Sequence, residues 1–471
     1  MTRDQRPSVI PILLVAAFVV ILNETTMNVA LSSIMTDLGV DERTAQWLTT
    51  AFMLTMAVVI PITGWLLDRL PTRRVFQLAM LSFSVGTLLC MIAPSFAFLL
   101  AGRVVQASGT AIMMPLLMTT VMQLVPANGR GKVMGNISMV ISMAPAVGPT
   151  LSGIILQLGS WRLIFGVVLP IALAMLLLGS RKLGDVGERK LTPLDAVSIP
   201  LTVIAFGPLV YGLSLVGAED VEFWVPMLSI GIGVGGLVAF VARQLVLQGR
   251  GEAFLDLRTF THGAFTVALT MMAIAMMAMF GTIIMLPLLL QRAYGMEPLQ
   301  VGLMMLPGGL AMGLLGPVVG RLFDRVGPRP LVLPASAVVL GVFLFFSTLS
   351  LGTPWWAIMI AHIAMSVGFA SIFTPLFTIS LGALPKNLYS HGSAVIGAVQ
   401  QVAGAAGTAL FVTVFAMQTA AAAPTAPSEA AAMLAGAHWA FLGAGAIWTG
   451  AAICGFFLRK PDDAVAAPGH H

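Results

Sequence analysis

The chain has 471 residues, of which 58% are hydrophobic and only 9% charged. An ordinary soluble domain carries about 25% charged residues, so a soluble globular protein is excluded. The formal net charge of +5 does not point to nucleic acid, because the basic residues sit in short loops between apolar runs, where they set membrane topology.

About 14 apolar segments of spanning length follow one another, at roughly 9–34, 44–68, 74–93, 96–123, 133–158, 162–180, 194–216, 223–243, 261–291, 298–321, 330–350, 354–383, 391–419 and 434–459. Segment 1 is too long for the apolar region of a cleavable signal peptide and lacks a small-residue cleavage site, so it is expected to remain as a membrane helix. Glu24 lies near its middle, with Asn23, Thr25, Thr26 and Asn28 around it. A carboxyl at that depth is costly if it faces lipid, and intramembrane acids usually mark ion or substrate paths. Glu24 therefore reads as the proton-binding acid of a transporter. The alternative is a neutral carboxyl serving as hydrogen-bond glue between helices.

Placing the N-terminus in the cytoplasm puts 20 Lys and Arg residues in inside loops; only Arg43, Arg162 and Arg292 fall outside, and Arg103 lies within segment 4. This asymmetry predicts an even number of spans with both termini inside. Cys90 and Cys454 then face opposite membrane sides, and no disulfide is expected. GWLLDRLPTRR (Gly64 to Arg74) recurs as GRLFDRVGPRP (Gly320 to Pro330), with Gly64, Asp68, Arg69 and Arg73 matching Gly320, Asp324, Arg325 and Arg329. A parallel repeat of this kind is expected of two halves related by an axis along the membrane normal. The spacing leaves room for six helices plus two. The expected division is a six-helix bundle over 1–185, two inserted helices with linkers over 186–258, a second six-helix bundle over 259–460, and a disordered tail over 461–471.

With these residues in view, nearly the whole chain resembles the fourteen-span drug:proton antiporters of the major facilitator superfamily. Gly64-x-Leu66-x-Asp68-Arg69 is similar to the superfamily signature between helices 2 and 3, although Pro71 stands where the family usually has Gly. Arg103, Gln106 and Gly109 are similar to an Arg-x-x-Gln-Gly motif, which implies a proton-transfer role for Arg103 with Glu24 or the polar face of segment 1. A structural Arg that locks helices together is the equal alternative. Ala144 to Gly153, including Pro145, Gly148, Pro149 and Gly153, resembles the antiporter motif of exporters, where Gly and Pro bend a helix and permit close contact. Trp161-Arg162 resembles a hallmark of the group and reads as an interfacial anchor. In segment 1 Asn28-Val29-Ala30-Leu31 is intact, but family members often carry Asp where Asn23 stands. The acid is thus displaced one place to Glu24, a turn of about 100° around the helix.

Leu306-Pro307-Gly308-Gly309, and His391-Gly392-Ser393 followed by Gln400 and Gln401, also look family-like. The Met cluster of segment 9, with Met276 and Phe280, reads as packed or lipid-facing, or as one wall of an adaptable cavity. His362 is a second titratable group at membrane depth, a proton site or a structural hydrogen-bond donor. The candidate substrate cavity takes in Asn23, Asn28, Met113, Leu117, Met276, Phe280, His362, Gln400 and Gln401, and the gate set takes in Gly64, Asp68, Arg69, Arg73, Gly109, Pro145, Gly148, Pro149, Gly153, Gly320, Asp324 and Arg325. No phosphate-binding loop is present to suggest ATP, and no Cys, His and acid set has metal spacing. The expectation is an all-α membrane protein with the major facilitator fold, a non-enzyme without cofactor. It would use a proton gradient to export lipophilic or amphipathic compounds, cations included, from a bacterial inner membrane as a monomer. A dedicated exporter of one endogenous metabolite or lipid is the alternative, with a non-transporting scaffold behind it.

Overall fold

The computed structural model describes residues 6–186, 193–216 and 221–458, apart from the side chains of residues 6–8, 28 and 42. The tail 461–471 lies outside the described residues, as do the basic residues Arg3, Arg189, Lys190, Arg459 and Lys460. Among the described residues, fourteen helices are long and apolar enough to cross a membrane. They are α1 (Arg6–Leu38), α2 (Glu42–Arg69), α3 (Thr72–Met91), α4 (Phe96–Leu124), α5 (Arg130–Leu158), α6 (Arg162–Lys182), α7 (Ser198–Leu215), α8 (Trp224–Gly249), α9 (Gly263–Arg292), α10 (Pro298–Val326), α11 (Arg329–Ser347), α12 (Trp355–Gly382), α13 (Tyr389–Ala422) and α14 (Glu429–Gly455).

Helices α1–α6 pack among themselves, as do α9–α14, and α7 pairs with α8. The two large groups meet along α5 with α10 and along α2 with α13. These two contacts are one contact seen twice, because the repeat maps α2 onto α10 and α5 onto α13. Both copies of the repeated motif lie at one end of the molecule, the end that bears most of the basic loops; it is termed the basic face below.

The α5–α10 crossing is built from glycine. A Cβ at Gly131 would strike the Asp324 carboxylate and the Gly320 carbonyl, and one at Gly135 the Gly316 carbonyl. Farther from the basic face, Gly313 lies against Met143, and Gly309 against Ala146. One step beyond, at Gly153 and Gly302, a Cβ would meet nothing within 4 Å. The two helices therefore touch at the basic face and splay apart toward the opposite one. Among the described residues, the hydrogen bonds between the two six-helix groups also lie in the basic half: Thr119 Oγ1 to Ser393 Oγ (3.1 Å) and to the Tyr389 carbonyl (3.5 Å), Arg130 Nη2 to Tyr389 Oη (3.3 Å) and Thr374 Oγ1 to Ser138 Oγ (2.9 Å), besides the Asp324 cap described below. Opposite-face bonds stay within a half, as with Arg162 to Asp37 (2.6 Å). Arg162, then the indole of Trp161, holds the Asp37 carboxyl below its ordinary range.

The inserted pair is fastened by Asp195. Its carboxylate accepts from Arg243 Nη2 (2.7 Å) and Nε (3.2 Å), and from the Ser198 hydroxyl (2.6 Å) and backbone N–H (3.1 Å). Arg243 foremost holds the Asp195 carboxyl down to about 2. A folded-state value below the unfolded one, about 3.9, gives stability that is present above the unfolded value and lost as pH falls through the folded one. The α7–α8 clamp is thus expected to hold from neutral pH down to about pH 4 and to loosen only as pH falls toward about 2. Hydrogen exchange in α7, corrected for its intrinsic pH dependence, measures this; loosening between neutrality and pH 5 would assign the clamp to another group.

Candidate functional site

Helix α1 is oriented by α5. The Thr25 hydroxyl donates to the Ala144 carbonyl (3.3 Å), the Ser152 hydroxyl to the Thr26 carbonyl (2.9 Å), and a Cβ at Gly148 would overlap the Thr25 hydroxyl. Small and hydroxylated residues thus let the two backbones close up, with Pro145 and Pro149 inside the same stretch of α5. This seating buries Asn23, which is 1% exposed with neither amide atom bonded, and leaves Glu24 half-buried on the next flank. Glu24 interacts electrostatically with Arg103 of α4. Among the described residues no ion pair of 4.0 Å or less joins them. The carboxyl is therefore near a buried cation without being consumed by it.

Arg103 is 1% exposed. Its guanidinium lies 4.0 Å from the Phe52 ring centroid, Nη1 donates to Gln106 Oε1 (2.8 Å), and Nε reaches the Leu48 carbonyl at 3.5 Å. Gln106 Nε2 passes the chain on to the Thr87 hydroxyl (2.8 Å). One Arg thus ties α4 to α2 and, through Gln106, to α3, while its charge is felt at Glu24. Gly109, one turn beyond Gln106, allows the approach, since a Cβ there would overlap the Ala79 carbonyl of α3. Gln106→Leu takes from the buried guanidinium its Nη1 acceptor, while Thr87 keeps its own bond to the Phe83 carbonyl (2.7 Å). Leaving a buried polar partner unsatisfied costs about 1–3 kcal/mol, so the variant is expected to insert normally but to unfold at a lower temperature in detergent. An unchanged thermal midpoint would show the chain to be dispensable.

The remaining cavity candidates are spread over five helices. The side chain of Asn28 lies outside the described part of the structure. Met113, Leu117 and Met276 are buried in the core, and Phe280 is exposed. Gln400 Nε2 contacts the Met272 sulfur (3.8 Å), and Gln401 is half-buried. His362 is buried with Nδ1 unbonded, and its ring packs against Gly308, where a Cβ would overlap it. A cavity of about 790 Å³ opens on the opposite face of the second half, walled by Tyr294, Gln300, Met304 and Trp355 among others. None of the sequence candidates lines it.

The repeated motif does two different things. Asp324 of α10 reaches across to the start of α5, accepting from the Gly131 N–H (2.9 Å) and the Lys132 N–H (2.9 Å), which caps that helix end where its dipole favours an anion. Asp68 of α2 instead faces His391 at the start of α13, with Nε2 at 3.3 Å from Oδ2. The loops differ as well: Gly327 takes φ +78°, while Pro71, its counterpart, sits at φ −55° and closes the turn in extended backbone. Arg69 stacks over Trp65 (5.6 Å), and Arg73, Arg74 and Arg325 are exposed. The role of His391 was not legible in the sequence. Its signal was a titratable residue opening an apolar segment directly after a loop.

The model of the Major Facilitator Superfamily matches residues 13–408. The chain belongs to this superfamily of transporters. An uncharacterized MFS-type transporter, YcnB of Bacillus subtilis, is 38% identical over 97% of this chain and 96% of its own. The lincomycin resistance protein LmrB of Bacillus subtilis is 36% identical over 88% of this chain and 87% of its own, and the multidrug export protein EmrB of Haemophilus influenzae is 29% identical over 84% and 78%. Among solved structures, the human organic anion transporter MFSD10 aligns with TM-score 0.67 at 16% identity, covering 98% of this chain and 100% of its own. The proton:xylose symporter XylE aligns with TM-score 0.65 at 14% identity, covering 98% and 97%. At these identities the structural matches speak for the fold alone: two six-helix halves, here with α7 and α8 between them, in a multi-pass integral membrane protein.

Proposed function

We propose that this superfamily member is a proton-driven exporter of lipophilic or amphipathic compounds, working by alternating access of its two six-helix halves. The observation that carries the proton half of the reading is Glu24: a half-buried carboxyl in the middle of a spanning helix, within the field of buried Arg103 but outside ion-pair contact. An acid so placed is free to exchange a proton between two aqueous exposures, whereas a directly paired one would be held as a carboxylate. Relatives named for lincomycin resistance and multidrug export support small-molecule efflux. The loop-charge asymmetry supports an orientation with the basic face and both termini in the cytoplasm of a bacterial inner membrane. The closed basic face and splayed opposite end correspond, on that orientation, to an outward-facing state.

Each bundle rocks as a body about the crossing of α5 with α10 and of α2 with α13. Proton and substrate need share no residue; each need only favour a different state. The test is reconstitution in proteoliposomes with an internal pH dye and a panel of lincosamides and lipophilic cations. Compound-dependent proton movement supports the reading, and compound transport indifferent to the proton gradient overturns it. A response to one endogenous metabolite but to none of the drugs would assign a dedicated exporter.

A further inference from the structure

The inserted helices reach the gate through the segment that follows them. After α8 the chain runs from Ala253 to Thr261 along the basic face, held by α8 itself. Gln244, fully buried, accepts the backbone N–H groups of Phe254 (2.9 Å) and Leu255 (3.0 Å) on Oε1 and donates from Nε2 to Ser198 of α7 (2.7 Å). Gln248 accepts from the Leu257 N–H (3.1 Å). The segment so anchored lies on the first motif copy. The Phe254 ring stacks on Trp65 (6.5 Å between centroids, 17° between planes), and a Cβ at Gly64 would meet Nδ1 of His391 at 3.0 Å and the Leu255 side chain at 3.4 Å.

At its centre the Asp256 N–H donates to Nδ1 of His391 (3.2 Å), while Nε2 of the same ring faces Asp68. An Nδ1 that accepts leaves the ring proton on Nε2, aimed at the Asp68 carboxylate. The Asp256 side chain turns away to Arg258: burial alone would raise its carboxyl, but the Arg258 guanidinium and N–H outweigh that and hold it low. Its N–H is thus the group it offers to the ring.

We propose that α7, α8 and the 253–261 segment form a latch for the basic-face gate, in which the strap presents the Asp256 N–H to His391 and so positions the ring to bridge α13 to Asp68 of α2. His391 is a positioning residue of the transport cycle, and Gln244 and Gln248 act on the gate through it. Opening the basic face separates α2 from α13, so it must break either His391–Asp68 or the strap's hold on the ring. The proposal rests on the alternating-access reading but requires neither proton coupling nor a particular substrate.

The experiment measures alkylation in membranes, in the full chain with Cys90 and Cys454 replaced. A cysteine at Ser138 reports the basic half of the cleft, and one at Gly153 the opposite end. Gln244→Leu and the milder Gln248→Leu touch neither Asp68 nor His391. Both are expected to raise labelling at 138 several-fold and lower it at 153, in the same direction as Asp68→Asn. Labelling unchanged in both glutamine variants while Asp68→Asn displaces it would overturn the latch and leave the gate standing. No displacement in any of the three would overturn the gate reading with it. Should Gln244→Leu fail to fold, Gln248→Leu decides alone, since its half-buried side chain holds a single backbone N–H.

Discussion

Glu24→Gln is expected to reach the membrane in normal amount and to retain no proton-driven efflux, a loss of at least about tenfold, or about 1.4 kcal/mol in coupling. The substitution keeps the size and polarity of the side chain and removes only its ability to gain and lose a proton. Glu24 holds no helix in place: Thr25 and Thr26 make the α1–α5 bonds on either side of the chain's next turn, and Asn23 sits on the buried face. Stability should therefore change little. Arg103 would lose the charge it senses while keeping Gln106, Phe52 and the Leu48 carbonyl, so its helix-locking function survives. Downhill exchange of substrate without a proton gradient separates the two parts of the claim. Retained exchange with abolished uphill efflux assigns Glu24 to coupling. Uphill efflux equal to that of the unsubstituted protein would remove the central assignment, and the helix-glue alternative would take its place.

The architecture was legible because membrane insertion imposes coarse, additive signals. Twenty apolar residues make a span, basic loops set sides, and a repeat eleven residues long announces two halves. The site was legible only in part. Glu24 and Arg103 stand out because ionised groups in apolar runs are expensive, and the motif glycines stand out because close crossings admit little else. What the sequence withheld was pairing between distant segments. Asp68 and Asp324 occupy identical positions in the repeat, yet one meets an imidazole and the other a helix end, since His391 stands at the start of α13 and glycine 131 at the start of α5. Likewise Gln244 falls just past segment 8 as the sequence bounds it, among linker residues; only the chain's return past Phe254 gives it two donors to accept. The displacement of the acid from position 23 to 24 was visible, but its consequence, a buried amide beside a half-buried carboxyl, needed the seating of α1 on α5.

Gly320→Val is expected to hold the transporter open at the basic face and to abolish efflux of every substrate alike. A Cβ at Gly320 would overlap the Gly131 carbonyl oxygen and lie 2.8 Å from its carbon, and both are backbone atoms that no rotamer change can move. Relief requires α5 and α10 to part, and parting carries Asp324 away from the Gly131 and Lys132 N–H groups one turn on. Overpacking of this kind costs about 1–3 kcal/mol, which lowers the basic-closed population by about 5- to 150-fold relative to the basic-open one. The opposite end supplies the mirror experiment. A Cβ at Gly153 or Gly302 would meet nothing within 4 Å in this state, so Gly153→Val is expected to obstruct chiefly a conformation in which that end closes. It should displace the equilibrium the other way, lowering alkylation of a cysteine at Ser138 where Gly320→Val raises it. Opposite shifts from two glycine substitutions on facing helices are what a rocking crossing produces. Efflux at the normal rate by Gly320→Val would mean that α5 and α10 do not close on each other during transport.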